Sequence, residues 1–157
     1  MKYLCDQMLG TLAKWLRIFG FDTFYANSEM QDSELIDISK KEKRVLVTRD
    51  KDLLRRARKE KLRVIEIDST HIDEQIKKVI CQEEIDQTKV LSRCILCNSL
   101  LEEIEKEKVE KNVPRRVFDC NEKFWFCPNC KKLYWKGTHY ENMIRKVKGF
   151  EKSKKAS

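Results

Sequence analysis

The chain has no apolar run approaching the roughly 18 residues of a membrane span. Its opening, Met1-Lys2-Tyr3-Leu4-Cys5-Asp6, does not read as a secretory leader. A soluble, cytoplasmic protein with no membrane partner is therefore expected. Histidine is nearly absent, with two residues in 157, so chemistry built on imidazole has little to draw on. No internal repeat is visible. A disulfide framework is not expected either. Seven cysteines in a cytoplasmic chain point to metal ligands or free thiols, and an odd number leaves one unpaired in any scheme.

Charge, by contrast, is plentiful. Asp, Glu, Lys and Arg make up 38% of the residues, against about 25% in an average domain. The net charge of +8 is unevenly spread. Residues 1–90 hold 18 Lys and Arg against 17 Asp and Glu, whereas residues 91–157 hold 16 against 9. A basic second part beside a neutral first part suits a polyanionic partner, most simply nucleic acid. Lysines that merely solubilise a small module give the same imbalance.

Hydrophobic periodicity divides the chain in the same place. Lys2 to Cys5, Asp22 to Ala26, Val45 to Thr48 and Val64 to Ile67 read as short strands. Met8, Leu9, Leu12, Ala13, Leu16 and Phe19 mark an amphipathic helix closed by Gly20. Further helices are predicted from near Ser33, over about Lys51 to Lys59, and around Ile72 to Ile80. Strict β-α alternation predicts a parallel sheet of about four strands flanked by helices. The alternation stops around Asp86 to Arg93. The expected organisation is an α/β domain over residues 1–90, a small module over 91–150 with a C-terminal helix, and a disordered tail over 151–157.

Cys94-x-x-Cys97 and Cys127-x-x-Cys130 lie 29 residues apart. Two such turns supply four thiolates for a tetrahedral Zn²⁺. All four positions would be filled, so the ion would be structural. The predicted module is a small β zinc ribbon, with strand-like Val117–Phe118, Phe124–Phe126 and Leu133–Trp135. Cys5 and Cys81 read as small core residues. Cys120 and His139 read as structural residues or as alternative ligands.

The second constellation is acidic. Asp6 follows the first strand, Asp50 and Asp52 follow the third, and Asp32 opens the second helix. A parallel sheet would carry all four to its carboxyl edge, where ligands collect. Mg²⁺ or Mn²⁺ takes oxygen ligands and would offset their repulsion. Each aspartate also has a local reading as a helix cap. Lys14 and Arg17 share the predicted polar face of the first helix and are candidate phosphate contacts. Arg115, Arg116, Lys131, Lys132 and Lys136 interleave with Phe124, Trp125, Tyr134 and Trp135. Those aromatics suit stacking on unpaired bases or a core for the ribbon itself.

The segments Asp6-Gln7-Met8-Leu9-Gly10, Leu12-Ala13-Lys14-Trp15-Leu16-Arg17 and Gly20-Phe21-Asp22-Thr23 resemble one known opening. It is that of the PIN-like ribonuclease domain at the C-terminus of Mut-seven-type exonucleases. That family also occurs as a standalone prokaryotic protein. Asp32-Ser33-Glu34-Leu35 and Leu46-Val47-Thr48-Arg49-Asp50 match its next blocks. Cys94-x-x-Cys97-Asn98, Cys127-Pro128-x-Cys130 and Tyr134-Trp135-x-Gly137-Thr138-His139 match its ribbon.

The resemblance implies a PIN-like Rossmannoid fold, divalent-metal-dependent cleavage of RNA and an appended zinc ribbon. Asp6, Asp32, Asp50 and Asp52 would be the catalytic acids, with Glu34 an alternative to Asp32. Asp6, Asp50 and Asp52 would hold Mg²⁺ or Mn²⁺. Arg49 would join Lys14, Arg17, Arg115, Arg116, Lys131 and Lys136 on the RNA. An endoribonuclease is the function expected. A non-catalytic zinc-ribbon RNA-binding or assembly module, with a protein or ribonucleoprotein partner, is the alternative.

Overall fold

In the computed structural model, which describes residues 1–156, the chain divides into two units, Met1–Leu91 and a second beginning at Ser92. No helix of the described residues is long and apolar enough to cross a membrane.

The first unit runs β1 (Tyr3–Cys5), a 3₁₀ turn (Gln7–Leu9), α1 (Gly10–Ile18), β2 (Thr23–Tyr25), α2 (Asp32–Glu42), β3 (Val45–Thr48), α3 (Lys51–Lys59), β4 (Val64–Glu66) and α4 (Ile72–Ile80). All pairings are parallel and the strand order is β2-β1-β3-β4. The central strands β1 and β3 are buried throughout, as strands covered on both faces must be, while β2 and β4 at the edges are partly exposed. Leu4 and Leu46 form one core cluster with Leu35 and Ile36 of α2 and Leu53 and Ala57 of α3. Side chains alternate along a strand, so Tyr3, Cys5, Val45 and Val47 face the other way. α1 and α4 pack against each other.

The chain enters the sheet at β1, steps to one side for β2, then returns past β1 to lay down β3 and β4. The direction of winding therefore reverses between β1 and β3. In open parallel sheets the crevice outside the carboxyl ends at that reversal is where ligands bind.

Several local readings are corrected here. Gln31, not Asp32, is the N-cap of α2, and Asp32 is its first helical residue. Arg17 does not join Lys14 on a solvent face. It is 6% exposed, and its Nε donates to the Thr23 carbonyl at 3.0 Å. Cys81 is exposed rather than in the core, whereas Cys5 is buried. The segment before residue 92 is tied back to the first unit. The Leu91 amide donates to the Ile18 carbonyl at 2.8 Å, closing the end of α1.

The second unit contains β5 (Glu102–Ile104), a 3₁₀ turn (Lys106–Lys108), α5 (Arg115–Cys120), β6 (Phe124–Phe126), β7 (Leu133–Trp135) and α6 (Thr138–Ala156). The strands form an antiparallel sheet in the order β5-β6-β7. Val117 and Phe118, expected in a strand, lie in α5, which opens after Pro114. A proline is well placed at a helix start, where no amide partner is needed. α6 runs through residue 156 of the stretch expected as a tail; Ser157 lies outside the described residues.

Gly20 has φ +99°, and a Cβ there would stand 2.5 Å from the Lys89 carbonyl oxygen. Gly20→Ala is therefore strained in its backbone and displaces the returning segment. Thermal unfolding is expected to show a loss above about 1 kcal/mol.

Candidate active site and metal centre

At the winding reversal, Asp6 follows the end of β1 and Thr48 ends β3. The Asp6 amide donates to the Val47 carbonyl at 3.2 Å, which holds the two strand ends side by side. The Thr48 hydroxyl, fully buried, donates to Oδ2 of Asp6 and accepts from the Asp50 amide at 3.0 Å. One side chain thus fixes the carboxylate of Asp6 and the backbone of Asp50. Asp6 Oδ1 accepts from the Met8 amide at 3.0 Å, and the Arg49 amide is a further donor to this carboxylate. Asp50 Oδ1 caps α3, accepting from the Asp52 amide at 2.9 Å and the Leu53 amide at 3.3 Å. Asp50 thus caps α3, whereas Asp6 caps the 3₁₀ turn that precedes α1 rather than α1 itself, and both follow strand ends on the same rim.

The two differ in environment. Asp50 is exposed, whereas Asp6 is 5% exposed. Burial raises the pKa of Asp6, the charge of Asp50 raises it further, and the bonds from Thr48, Met8 and Arg49 oppose the shift without cancelling it.

Asp32 and Asp52 are occupied otherwise. Arg56 of α3 reaches Asp32 at 3.5 Å, and Arg55 reaches Asp52 at 2.9 Å along the same helix. Sequence reasoning passed over Glu66 and Asp68 at the end of β4. Lys51 pairs with Glu66 and lies 3.9 Å from Asp68. Asp68 follows β4 with only Ile67 between, close to a strand end as Asp6 is, and the same rule would have found it. Thr48 carried no signal beyond its place before Arg49-Asp50.

Of the candidate cationic contacts, Lys14, Arg116, Lys131 and Lys136 are exposed and Arg49 is partly buried. Arg115 is exposed but engaged locally, with Glu110 and Asp119 each at 3.2 Å and its guanidinium 5.5 Å from the Phe118 ring centre. Arg17 is buried, with its Nε on the Thr23 carbonyl rather than at the surface.

The cysteines do come together. The Sγ atoms of Cys94, Cys97, Cys127 and Cys130 all lie within 4.8 Å of one another. Among the described residues, no three carboxylates are gathered that closely. The two Cys-x-x-Cys turns share one geometry. Asn98 and Lys131, each following the second cysteine, have φ 75° and 64°. Their amides donate to the Cys94 and Cys127 carbonyls at 2.9 and 2.8 Å. The Cys94 and Cys127 amides close each turn on Ser99 and Lys132 at 2.8 and 2.9 Å. The Cys130 amide also points at Cys127 Sγ, 3.2 Å away, a donor suited to a thiolate. This donor set fits a tetrahedral Zn²⁺ with no open position.

A helix-flanked parallel sheet with paired aspartates at its winding reversal, and a separate four-cysteine antiparallel unit, define an α/β protein with a zinc-ribbon appendage. The sequence model of the Mut7-C RNAse domain matches residues 1–147, and the chain belongs to that family. A nuclease or RNA-related role follows from that membership. No curated protein and no solved structure matches the chain.

The raised pKa of Asp6 has a definite sign for stability. Its contribution favours folding below the ordinary aspartate pKa and is lost as pH climbs through the raised value. Without divalent cations, Asp6→Asn is therefore expected to match the parent near pH 4 and to melt at higher temperature than the parent at neutral pH. Melting curves across that range check it. For the thiols, replacing Cys127 by Ser is expected to abolish stoichiometric zinc and to cost the second unit its cooperative melting, read by metal analysis and near-UV circular dichroism.

Proposed function

We propose that this chain is a divalent-metal-dependent endoribonuclease whose cation is held at the carboxyl rim by Asp6 and Asp50. The observation that supports the reading is the Thr48 bridge, which ties the Asp6 carboxylate to the backbone of Asp50 at the sheet's winding reversal, with the charge of Asp50 felt at Asp6. When bound there, Mg²⁺ or Mn²⁺ would lower the pKa of a water and offset charge on the phosphoryl oxygens. Thr48 keeps Asp6 oriented, and the α3 cap keeps Asp50 from turning away. Asp52, with Asp32 or Glu34, would complete the set once Arg55 and Arg56 release their carboxylates. Lys14, Arg49, Arg116, Lys131 and Lys136 would hold the RNA backbone. Zn²⁺ on Cys94, Cys97, Cys127 and Cys130 would be structural.

One observation favours a second reading, a non-catalytic RNA-binding or assembly module. Asp32 and Asp52 are paired with arginines, and among the described residues no three carboxylates are gathered. Two measurements separate the readings. Millimolar Mn²⁺ is expected to raise the melting temperature of the parent and not of an Asp6→Asn/Asp50→Asn variant. Cleavage of single-stranded and structured RNA with Mn²⁺ is expected to fall at least a hundredfold in that variant. RNA binding with neither Mn²⁺ stabilisation nor cleavage would select the binding module.

A further inference from the structure

The three-stranded sheet of the second unit has two unlike faces. Phe124 is fully buried and its ring centre lies 6.4 Å from that of Trp135, its partner across β6 and β7. This pair makes the inner face. Trp125 and Tyr134 are the next directly opposed pair and so project from the other side. Both are partly exposed. Lys132 and Lys136 flank Tyr134 two residues away on either side, on the same face. Lys136 Nζ stands 5.9 Å from the Trp125 ring centre and 5.6 Å from that of Tyr140, and Lys132 Nζ stands 5.4 Å from that of Tyr134.

We infer that this outer face is a stacking platform for single-stranded nucleic acid, with unpaired bases on Trp125 and Tyr134 and phosphates on Lys132 and Lys136. The inference rests on the reading that the second unit holds RNA and assigns which face does so and to which form. An aromatic face takes only a base whose own face is free, so a paired duplex gains nothing from it. Two ammonium groups, which lie over the Tyr134 and Trp125 rings, would swing off them onto the phosphates as bases take their place, in a part of the chain that holds 16 Lys and Arg against 9 Asp and Glu. Glu103, opposite Trp125 on β5, is the anionic exception, and it directs the strand toward the β7 side. The inner pair, Phe124 and Trp135, takes no part.

The test uses the zinc-loaded full chain without added Mg²⁺ or Mn²⁺ and a fluorescein-labelled ten-nucleotide RNA, read by anisotropy. The single strand is expected to bind at least tenfold more tightly than the same sequence as a duplex. Trp125→Leu is expected to weaken single-strand binding about tenfold, and Trp125→Phe, which keeps a ring, to recover most of it. Lys132→Gln/Lys136→Gln is expected to flatten the salt dependence by about 1.4 in log–log slope. Unchanged binding by Trp125→Leu, equal affinity for duplex, or displacement by polyglutamate as readily as by unlabelled RNA would each overturn the inference. Should Trp125→Leu unfold the second unit, the lysine pair and Trp125→Phe still decide it. The Asp6→Asn/Asp50→Asn variant is expected to bind like the parent. Loss of cleavage with single-strand binding intact therefore counts against the nuclease reading alone, and the converse counts against the platform alone.

Discussion

One buried hydroxyl joins the ends of the two central strands. Thr48 donates a hydrogen bond to Asp6 and accepts one from the amide of Asp50. Both groups it joins lie within two residues of a strand end, so neither can shift without moving β1 or β3. Those strands are the most deeply buried of the sheet. The rim therefore inherits the rigidity of the core, which is what a carboxylate pair needs if it is to meet a cation in one fixed geometry. The strand order makes this arrangement possible. Had β2 been inserted between β1 and β3, Thr48 and Asp6 would stand a further strand spacing of about 4.8 Å apart, beyond hydrogen-bond reach.

The two units are stabilised by different physics. The first buries aliphatic side chains on both faces of its sheet and anchors the opposite edge with Arg44. That guanidinium bonds the carbonyls of Tyr3 and Asp22 at 3.1 and 3.2 Å and the Asp22 carboxylate at 2.9 Å. The second has strands three residues long and few fully buried large side chains. An apolar core of that size is marginal, and a metal that binds only the folded arrangement adds its binding free energy to folding. The matched turns at Asn98 and Lys131 hold the thiols where such an ion would sit.

Most of the first unit was legible because burial and periodicity coincide there. Val45–Thr48 could only be a buried strand, and Gly20 could only end a helix at positive φ. The misreadings have particular causes. Arg17 falls on the polar side of an ideal helical wheel, yet a long side chain can fold back to a carbonyl, and no wheel shows that. Val117-Phe118 has strand propensity, but Pro114 starts a helix and local chemistry overrode it. The acidic residues were found by their place after strands, a rule blind to partners. It could not show that Asp32 and Asp52 face arginines, nor that Thr48 is the link between Asp6 and Asp50. The cysteines were the most legible feature, since their spacing alone dictates two turns. The gathering of those turns depends on β6 and β7, which the sequence marks by aromatic runs.

The partners of the rim carboxylates differ in kind. Asp32 and Asp52 each have a guanidinium within ion-pair distance. Asp6 is held by neutral donors, the Thr48 hydroxyl and the amides of Met8 and Arg49. Burial disfavours its charge, and Asp50 nearby disfavours it further. A cation at the rim would gain most at Asp6, whose partners among the described residues are neutral donors and where the charge of Asp50 adds to its own. At Asp32 and Asp52 the same cation must first displace an arginine, and the net gain is the difference between two attractions. Recruitment would then proceed from the buried aspartate outward. The arginines released from α3 would remain beside the rim, with their charges free for a phosphate.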